Sequence, residues 1–599
     1  MKIAIKNSVS IALSLFLISC AQTDEHAGKL PETQETEVSI VAGDKDFPHV
    51  KKSLEVKDTI ERVATPALEE AVVARPYANK QVLKREESVG LNDYSAMLNR
   101  PAARSAGVVS QAFRSVVEPV NREKYAHFDN NSIKRVLENP VSTFSIDVDT
   151  GSYANVRRML KAGQLPIRDA IRTEELINYF SYQYEQNTNL DSPFSVHREV
   201  APTPWNKNSY LLHLGIKGFE VAENELPAAN LVFLVDVSGS MQAANKLGLL
   251  KTSLKLLTSR LNTNDRVSIV VYAGASGVVL EPTAGNQKAQ IISALDRLRA
   301  GGSTNGAAGI RVAYAMAEQA FIEGGINRVL LATDGDFNVG TSDTEQLKQL
   351  IEEKRKSGIA LSTLGFGTGN YNDELMEQIA DVGNGNYSYI DTINEAQKVL
   401  VEEMNSTLLT IAKDVKIQIE FNPALVSEYR LIGYENRQLK REDFNNDKVD
   451  AGEIGAGHTV TAIYEIFLND DKPDNIEPLR YQASPKVVVN SSEIAHLRLR
   501  YKKPDADSSR LLEWSIDRNE IKPSIARTSE AFRFAAAVAS FAEELRGGTN
   551  NADFAFSDIH TLAQQSRGED PFGYRGEFLG LVKLAGSLSM TGASQQLTQ

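Results

Sequence analysis

Apolar and polar residues follow two different periodicities along the chain. The change of periodicity separates a central segment from the segments on either side. Between about 230 and 409, continuous apolar runs alternate with segments that carry an apolar residue at every third or fourth position. The first run, Leu-Val-Phe-Leu-Val at 231–235, has the length and composition of a strand buried on both faces. This alternation predicts an α/β fold with a doubly wound, mostly parallel sheet.

The elements of the α/β segment follow from the same pattern. The predicted strands are 231–235, 266–272, 277–280, 328–332, 359–366 and 385–390. The predicted helices are 246–261, 287–298, 306–321, 344–356, 373–380 and 394–409. Because open α/β sheets bind ligands beyond the carboxyl ends of their strands, the loops after these strands are the first place to look for chemistry.

Period-two alternation, which is typical of half-buried strands, appears on both sides of this segment. Strands are predicted at 142–150, 195–200, 209–217, 415–421, 428–434, 459–467, 486–489 and 497–501. Helices are predicted at 152–160, 172–182, 529–545, 558–566 and 574–584. Strands before and after the α/β segment suggest one β-sandwich-like region into which that segment is inserted, followed by a helical carboxyl-terminal part.

The amino terminus has a different character. Lys2 and Lys6 precede a short apolar run and then Cys20, the single cysteine of the chain. This is the pattern of a secretory signal that is too short to span a bilayer. The tetrapeptide Leu-Ile-Ser-Cys resembles a bacterial lipobox, which implies that Cys20 is lipidated and anchors the protein to a membrane.

Composition completes the division of the chain. The segment after Cys20 is rich in Glu, Lys, Ala, Pro and Ser and poor in aromatic residues, so we interpret it as a flexible stalk. The net charge of −13 disfavours a nucleic-acid surface. The predicted parts are a signal peptide (1–19), the stalk (20–124), an amino-terminal module (125–229), the α/β domain (230–412) and a carboxyl-terminal module of strands and helices (413–592).

Candidate chemistry gathers after the predicted strands of the α/β domain. Asp236, Ser238 and Ser240 follow the first strand, Thr304 lies on a Gly-rich loop before a helix, and Asp334 follows the strand 328–332. Two carboxylates and three hydroxyls at one sheet edge form a hard oxygen cluster, which suits Mg²⁺, or Mn²⁺ or Ca²⁺, rather than zinc.

These five residues resemble the metal-ion-dependent adhesion site (MIDAS) of the von Willebrand factor type A (VWA) domain, and the order of strands and helices resembles that fold. The flanking modules are similar to those of bacterial YfbK-type lipoproteins, on the segments 142–160, 174–180, 429–437 and 450–458. The resemblance implies a VWA fold and a MIDAS formed by Asp236, Ser238, Ser240, Thr304 and Asp334. It implies no particular reaction or partner.

Other motifs fail on spacing. Asp147 and Asp149, like the acidic run 443–447, imitate the start of a calcium loop but lack its later ligands, so they are interpreted as strand and turn residues. The Gly-x-Gly-x-Gly run at 365–369 lacks the Walker lysine and the dinucleotide fingerprint, which favours a structural turn. The His residues show no zinc-ligand spacing, and no nucleophile elbow is present.

We therefore expect a non-enzymatic lipoprotein of the cell envelope. Its metal would accept a Glu or Asp carboxylate from a protein partner of unknown identity. The absence of aspartate after Cys20, where Ala21 and Gln22 stand, favours the outer membrane. Two alternatives stay open: an envelope scaffold in which the metal only stabilises the domain, and a metal-dependent hydrolase.

Overall fold

The computed structural model describes residues 122–186, 192–222, 225–335, 341–471, 475–476 and 492–596. The predicted signal peptide, Cys20, nearly all of the stalk and the predicted strand 486–489 lie outside these ranges. In the described part of the chain, no helix combines the length and the apolar character needed to cross a membrane.

The elements fall into three runs along the chain. The first comprises β1 (Lys134–Arg135), β2 (Val141–Ser145), α1 (Gly151–Lys161), α2 (Thr173–Asn178), β3 (Phe194–Pro202) and β4 (Tyr210–Gly218). The second comprises β5 (Ala229–Asp236), α3 (Leu249–Arg260), β6 (Arg266–Tyr272), β7 (Ser276–Ala284), α4 (Lys288–Arg297), α5 (Gly306–Gln319), β8 (Ile326–Thr333), α6 (Thr341–Lys356), β9 (Ala360–Phe366), α7 (Asp373–Val382), β10 (Tyr387–Ile390), α8 (Ile393–Gln397) and α9 (Met404–Leu408). The third comprises β11 (Thr410–Phe421), β12 (Val426–Ile432), β13 (Ile454–Gly455), β14 (Thr459–Leu468), β15 (Glu493–Lys502), β16 (Ser509–Asp517), α10 (Glu530–Leu545), α11 (Phe556–Gln565) and α12 (Tyr574–Gln596).

The second run folds into a six-stranded sheet in the order β10-β9-β8-β5-β6-β7. All neighbouring strands are parallel except β6 and the edge strand β7, which are antiparallel. Separate apolar cores cover the two faces, and every residue of the central strand β5 is buried. The predicted α/β class and doubly wound sheet are confirmed, and burial on both faces explains why β5 has a continuous apolar sequence.

Strands from both sides of this domain build one β-sandwich. One sheet has the order β1-β12-β14-β4-β3, and the other has the order β13-β11-β15-β16 with β2 also paired to β11. A shared apolar core joins the two sheets. Since β4 pairs with β14 across the whole intervening domain, the chain leaves the sandwich after β4, forms the α/β domain and returns at β11.

The helices of the carboxyl-terminal part complete the architecture. They pack with α1 and α2 around an aromatic core in which Phe180 contacts Phe534 and Phe578 edge to face. The predicted helical carboxyl-terminal part is confirmed. It covers the amino-terminal module rather than forming a separate core.

Two predicted helices of the α/β domain differ from the structure. The first begins at Leu249, not 246, because Lys246 has non-helical backbone angles (φ −115°, ψ −105°) within a π-helical turn. The predicted helix 394–409 is broken into α8, a π-helical turn and α9, with the break at Glu403. There Lys398 pairs with Glu403 and lies 4.4 Å from the centre of the Tyr179 ring. Packing against the amino-terminal module therefore overrides the helical periodicity.

Candidate metal centre

Asp236 is the last residue of β5 and is fully buried. Its Oδ1 accepts a hydrogen bond from the backbone N–H of Ser238 at 2.8 Å, and its Oδ2 accepts one from the Thr333 hydroxyl at 2.9 Å. The first bond is made within the loop and the second comes from the neighbouring strand β8. The orientation of the carboxylate is therefore set by two elements of the fold.

The two serine hydroxyls lie next to each other on the loop after β5. Ser238 has an extended backbone (φ −62°, ψ 166°), and a 3₁₀ turn, Gly239–Gln242, follows it. This reversal brings the Oγ atoms of Ser238 and Ser240 to 2.9 Å from each other. The Asp-x-Ser-x-Ser spacing thus places both hydroxyls beside the strand end that carries Asp236.

Backbone hydrogen bonds hold the loop of Thr304 against the loop after β5. The N–H of Gly239 donates to the carbonyl of Gly302 at 3.0 Å, and the N–H of Gly301 donates to the carbonyl of Val237 at 2.8 Å. Thr304 is partly exposed on this loop, just before α5. The second predicted loop is therefore docked on the first.

Asp334 follows β8, which pairs in parallel with β5 in a register that sets Ala332 opposite Val235. The two aspartates thus leave neighbouring strands at the same edge, and Asp334 is also fully buried. The next residue must be glycine, because Gly335 has φ +82° and a Cβ there would lie 2.5 Å from the backbone nitrogen of Asn372. This tight approach fixes the turn that carries Asp334.

The pKa of Asp236 reflects the burial of two carboxylates at this edge of the sheet. Burial raises the pKa of Asp236, and the charge of Asp334 raises it further. Hydrogen bonds from Ser238 and Thr333 oppose this shift in the pKa of Asp236. A divalent cation would relieve the remaining repulsion.

Sequence reasoning missed one charged residue of the site. Lys246 is buried, and its ammonium donates to Oδ2 of Asp334 at 2.8 Å and to Oδ1 of Asn370 at 3.1 Å. The pattern placed Lys246 at the start of an amphipathic helix, where a lysine normally faces solvent. No local pattern marks this lysine, because its partner Asp334 lies 88 positions later in the chain.

The donor set is chemically consistent with Mg²⁺, since carboxylate and hydroxyl oxygens are hard ligands. Among the described residues, no group of three or more His, Cys, Asp or Glu side chains could hold a metal ion. A metal at this edge would therefore depend on the hydroxyls of Ser238, Ser240 and Thr304 together with the two aspartates.

The rejected motifs serve the fold. The Oδ1 of Asp147 accepts from the backbone N–H of Asp149 at 2.9 Å, and its Oδ2 accepts from Nε of Arg437 at 3.2 Å. Asp149 accepts from the backbone N–H of Tyr387 at 2.8 Å. The run 365–369 ends β9 and turns with positive φ at Gly367 and Gly369. These features match the strand-and-turn interpretation.

Three family models match consecutive parts of the chain. The model described as von Willebrand factor matches residues 119–213, and that of the von Willebrand factor type A domain matches residues 230–403. The model described as the carboxyl-terminal part of the uncharacterized protein YfbK matches residues 406–588. A VWA domain indicates a protein-interaction or adhesion-type role.

Individual relatives cover different extents of the chain. Human inter-alpha-trypsin inhibitor heavy chain H3 is 25% identical over 309 residues, which are 47% of this chain and 33% of that protein. The solved structure of von Willebrand factor type A from Catenulispora acidiphila covers 64% of this chain and 89% of its own, at 14% identity and a TM-score of 0.38. The uncharacterized protein YfbK of Escherichia coli (strain K12) is 50% identical over 470 residues, which are 77% of this chain and 81% of that protein. The chain therefore belongs to the YfbK family of VWA-domain proteins.

Proposed function

We propose that this protein is a lipid-anchored envelope protein that captures a protein partner through a divalent metal ion. The metal would be held by Asp236, Ser238, Ser240, Thr304 and Asp334, directly or through water. Mg²⁺ is the favoured ion, and Mn²⁺ or Ca²⁺ would suit the same oxygen ligands.

One observation carries the proposal: two fully buried aspartates leave adjacent parallel strands at the edge where two serine hydroxyls lie 2.9 Å apart. Burying carboxylates is costly unless cations compensate them. The ammonium of Lys246 compensates one of the two charges, so a fold that places both aspartates beside neutral oxygen donors leaves one negative charge for a further cation.

The residues of the chain have distinct tasks in this scheme. The backbone N–H of Ser238 and the hydroxyl of Thr333 orient Asp236, and the turn at Gly335 orients Asp334. Thr304 lies on the more exposed loop, which leaves its side of the site open to a partner. A bound divalent ion would supply the positive centre to which a partner's Glu or Asp carboxylate binds.

Binding is favoured over catalysis by the state of the two carboxylates. Asp236 accepts hydrogen bonds from Ser238 and Thr333, and Asp334 accepts one from Lys246. A general base needs a carboxylate that is free to accept a proton from water or substrate. Both aspartates are instead engaged in holding the edge together.

The start of the folded part lies close to this edge. The backbone N–H groups of Arg122 and Lys124 donate to the carbonyls of Gly369 and Tyr371, each at 2.9 Å. The same loop carries Asn370, which accepts from Lys246. The first residues that the structure describes therefore lie beside the loop that holds Lys246.

The anchor has its own test. Cys20→Ser should abolish incorporation of labelled fatty acid and release the protein from the membrane fraction. A Cys20→Ser protein that still carried the label would contradict lipidation at this residue. Fractionation of inner and outer membranes then tests the proposed outer-membrane location.

The binding proposal is tested by pull-down from native envelopes with the full chain, in Mg²⁺ and in EDTA. We expect specific partners in Mg²⁺ that are lost in EDTA and in Asp236→Ala. The matched control is Asp296→Ala, which removes an exposed aspartate of α4 and should leave capture unchanged.

The outcomes separate the alternatives. Capture that persists in EDTA and in Asp236→Ala would contradict metal-mediated binding. A metal-dependent melting temperature without metal-dependent capture would favour the scaffold. Hydrolysis that requires Mg²⁺ or Mn²⁺ and is lost in Asp236→Ala would favour the hydrolase.

A further inference from the structure

Lys246 is placed at the metal centre by a departure from regular helical structure. It lies in the π-helical turn Ala244–Gly248, between the 3₁₀ turn after Ser240 and the start of α3. Only 7% of the residue is exposed, although lysine is rarely buried without a partner. Its ammonium reaches Asp334 at 2.8 Å, whose carboxylate is fully buried.

The loop after β9 packs closely against the aliphatic part of the Lys246 side chain. A Cβ on Gly367 would lie 2.4 Å from both Cγ and Cε of Lys246. Gly367 also has φ +77°, a backbone conformation that side chains disfavour. The neighbouring Asn370 accepts a second hydrogen bond from the ammonium at 3.1 Å. The loop after β9 therefore packs against Lys246 and accepts one hydrogen bond from its ammonium, and the loop after β8 supplies the other acceptor.

We propose that Lys246 is a resident cation of the metal site, which stabilises Asp334 in the metal-free state and lowers the affinity for the divalent ion. This inference rests on the proposed metal site and adds a regulating residue to it. Lys246 is a positioning residue, because it acts on the metal through Asp334 and through its charge.

The charges at the site give the physical reason. Two carboxylates and one ammonium sum to −1 without a metal and to +1 with a divalent ion. Without Lys246 the corresponding sums would be −2 and 0. The lysine thus lowers the repulsion between the buried aspartates in the metal-free site and opposes the incoming metal. It also gives the loaded site the net positive charge that one partner carboxylate would neutralise.

The test measures Mg²⁺ binding by isothermal titration calorimetry on the full folded chain. Lys246→Met keeps the apolar stem and removes the charge, so we expect Mg²⁺ to bind at least about tenfold more tightly, because one unit of nearby positive charge is gone. We also expect the melting temperature of Lys246→Met to fall in EDTA and to recover in Mg²⁺, since Asp334 then depends on the metal for its counter-charge.

Two further variants make the result specific. Lys246→Gln retains a hydrogen-bond donor toward Asp334 without the charge, and should also bind Mg²⁺ more tightly even where Lys246→Met folds poorly. Lys255→Met removes a charge from the following helix, α3, at its pair with Asp296, and should leave the Mg²⁺ affinity unchanged.

The outcomes distinguish this inference from the proposed function. Wild-type protein that binds no Mg²⁺ would overturn both. Binding that is lost in Asp236→Ala but has equal strength in wild type, Lys246→Met and Lys246→Gln would overturn only the role of Lys246. Weaker Mg²⁺ binding in both Lys246 variants would overturn it as well, because it would mean that the ammonium supports the metal rather than opposing it.

Discussion

Buried carboxylates occur in two regions of this molecule with different surroundings. At the junction between the amino-terminal module and the VWA domain, they meet arginines. At the carboxyl edge of the VWA sheet, Asp236 meets a backbone N–H and a hydroxyl, while Asp334 meets a lysine. The comparison separates buried carboxylates that are paired with arginine from those that lie at the proposed metal site.

At the junction, the guanidinium groups of arginines compensate the charges of the buried carboxylates. Arg157 of α1 donates to Glu395 at 2.8 Å, to Tyr179 at 2.9 Å and also to Asp391. Arg172 pairs with Glu175 and donates to Asp373 at 2.6 Å. Arginine matches carboxylates through two or more parallel hydrogen bonds, so these contacts fix geometry as well as charge.

The sheet edge is built differently. Serine and threonine hydroxyls contribute oxygen atoms without charge, and the cation is a lysine whose ammonium is a single point charge. Such surroundings orient the two carboxylates through hydroxyl, backbone and ammonium donors rather than through arginine. The contrast supports the proposal that the arginine pairs of the junction serve stability and that the edge serves binding.

The largest effect is expected at the junction. Arg172→Ala would leave the buried carboxylates of Glu175 and Asp373 without their cation. Removing one partner of a buried ion pair costs about 3–5 kcal/mol, and we expect a loss of that size in the free energy of unfolding. Urea denaturation in EDTA measures it.

The control for this variant is Arg297→Ala, an exposed arginine of α4, for which we expect a change within about 0.5 kcal/mol. If both variants lost the same small amount of stability, the distinction between the two regions would be wrong. Mg²⁺ affinity of the Arg172→Ala protein that remains folded should be unchanged.

Much of this picture could be predicted from the chain alone. The apolar run 231–235 identified the central strand because a strand buried on both faces needs no polar positions. The spacing of Asp236, Ser238 and Ser240 indicated the edge, because carboxyl ends of parallel strands share one side of a sheet. Period-two alternation identified β11 and β14 for the same local reason.

The rest depends on contacts between distant residues. The sequence pattern assigned Lys246 to a regular helix, since its pairing with Asp334, 88 positions away, has no local signal. It missed β16, although Leu512, Trp514 and Ile516 alternate there with polar residues, as a half-buried strand requires. It also joined α8 and α9 into one helix, although packing of Lys398 on Tyr179 breaks it.

A smaller effect is expected from the sheet edge, and it should appear in binding instead of stability. Thr304→Val removes one hydroxyl from the proposed site while preserving the shape of the side chain. We expect Mg²⁺ affinity to fall about tenfold, which is about 1.4 kcal/mol, because losing a supporting ligand weakens a metal site by a factor of this order. Calorimetry measures the affinity.

The same variant tests the separation between the two regions. Thr304→Val should change the free energy of unfolding in EDTA by less than about 0.5 kcal/mol, since Thr304 is partly exposed. Thr252→Val, which removes a hydroxyl of α3 that donates to the carbonyl of Gly248, should leave Mg²⁺ affinity unchanged. Equal loss of affinity in both variants would remove Thr304 from the site.

The smallest effect concerns Glu453, a buried carboxylate of the carboxyl-terminal module that faces the VWA domain and hydrogen-bonds to neutral partners. It accepts from the Thr410 hydroxyl at 3.1 Å and from the Asn384 amide, with the charge of Arg328 nearby. Burial raises the pKa of Glu453 to about 7, above its usual value of 4.5. The folded state therefore holds a proton that the unfolded state releases, so this contribution is present at low pH and is lost as pH rises through 7.

Glu453→Gln mimics the protonated side chain at every pH. Between pH 5 and pH 6, which lie between the usual pKa of 4.5 and the folded pKa of about 7, the free energy of unfolding of wild type should therefore fall by about 1 kcal/mol relative to Glu453→Gln, since one proton more in the folded state corresponds to about 1.4 kcal/mol per pH unit. Urea denaturation at the two pH values measures this difference, with Glu353→Gln on the exposed face of α6 as the control that should follow wild type. Parallel pH profiles for wild type and Glu453→Gln would show that the neutral donors around Glu453 hold a charged carboxylate as well as arginine does. The comparison would then rest on the arginine pairs of the junction alone.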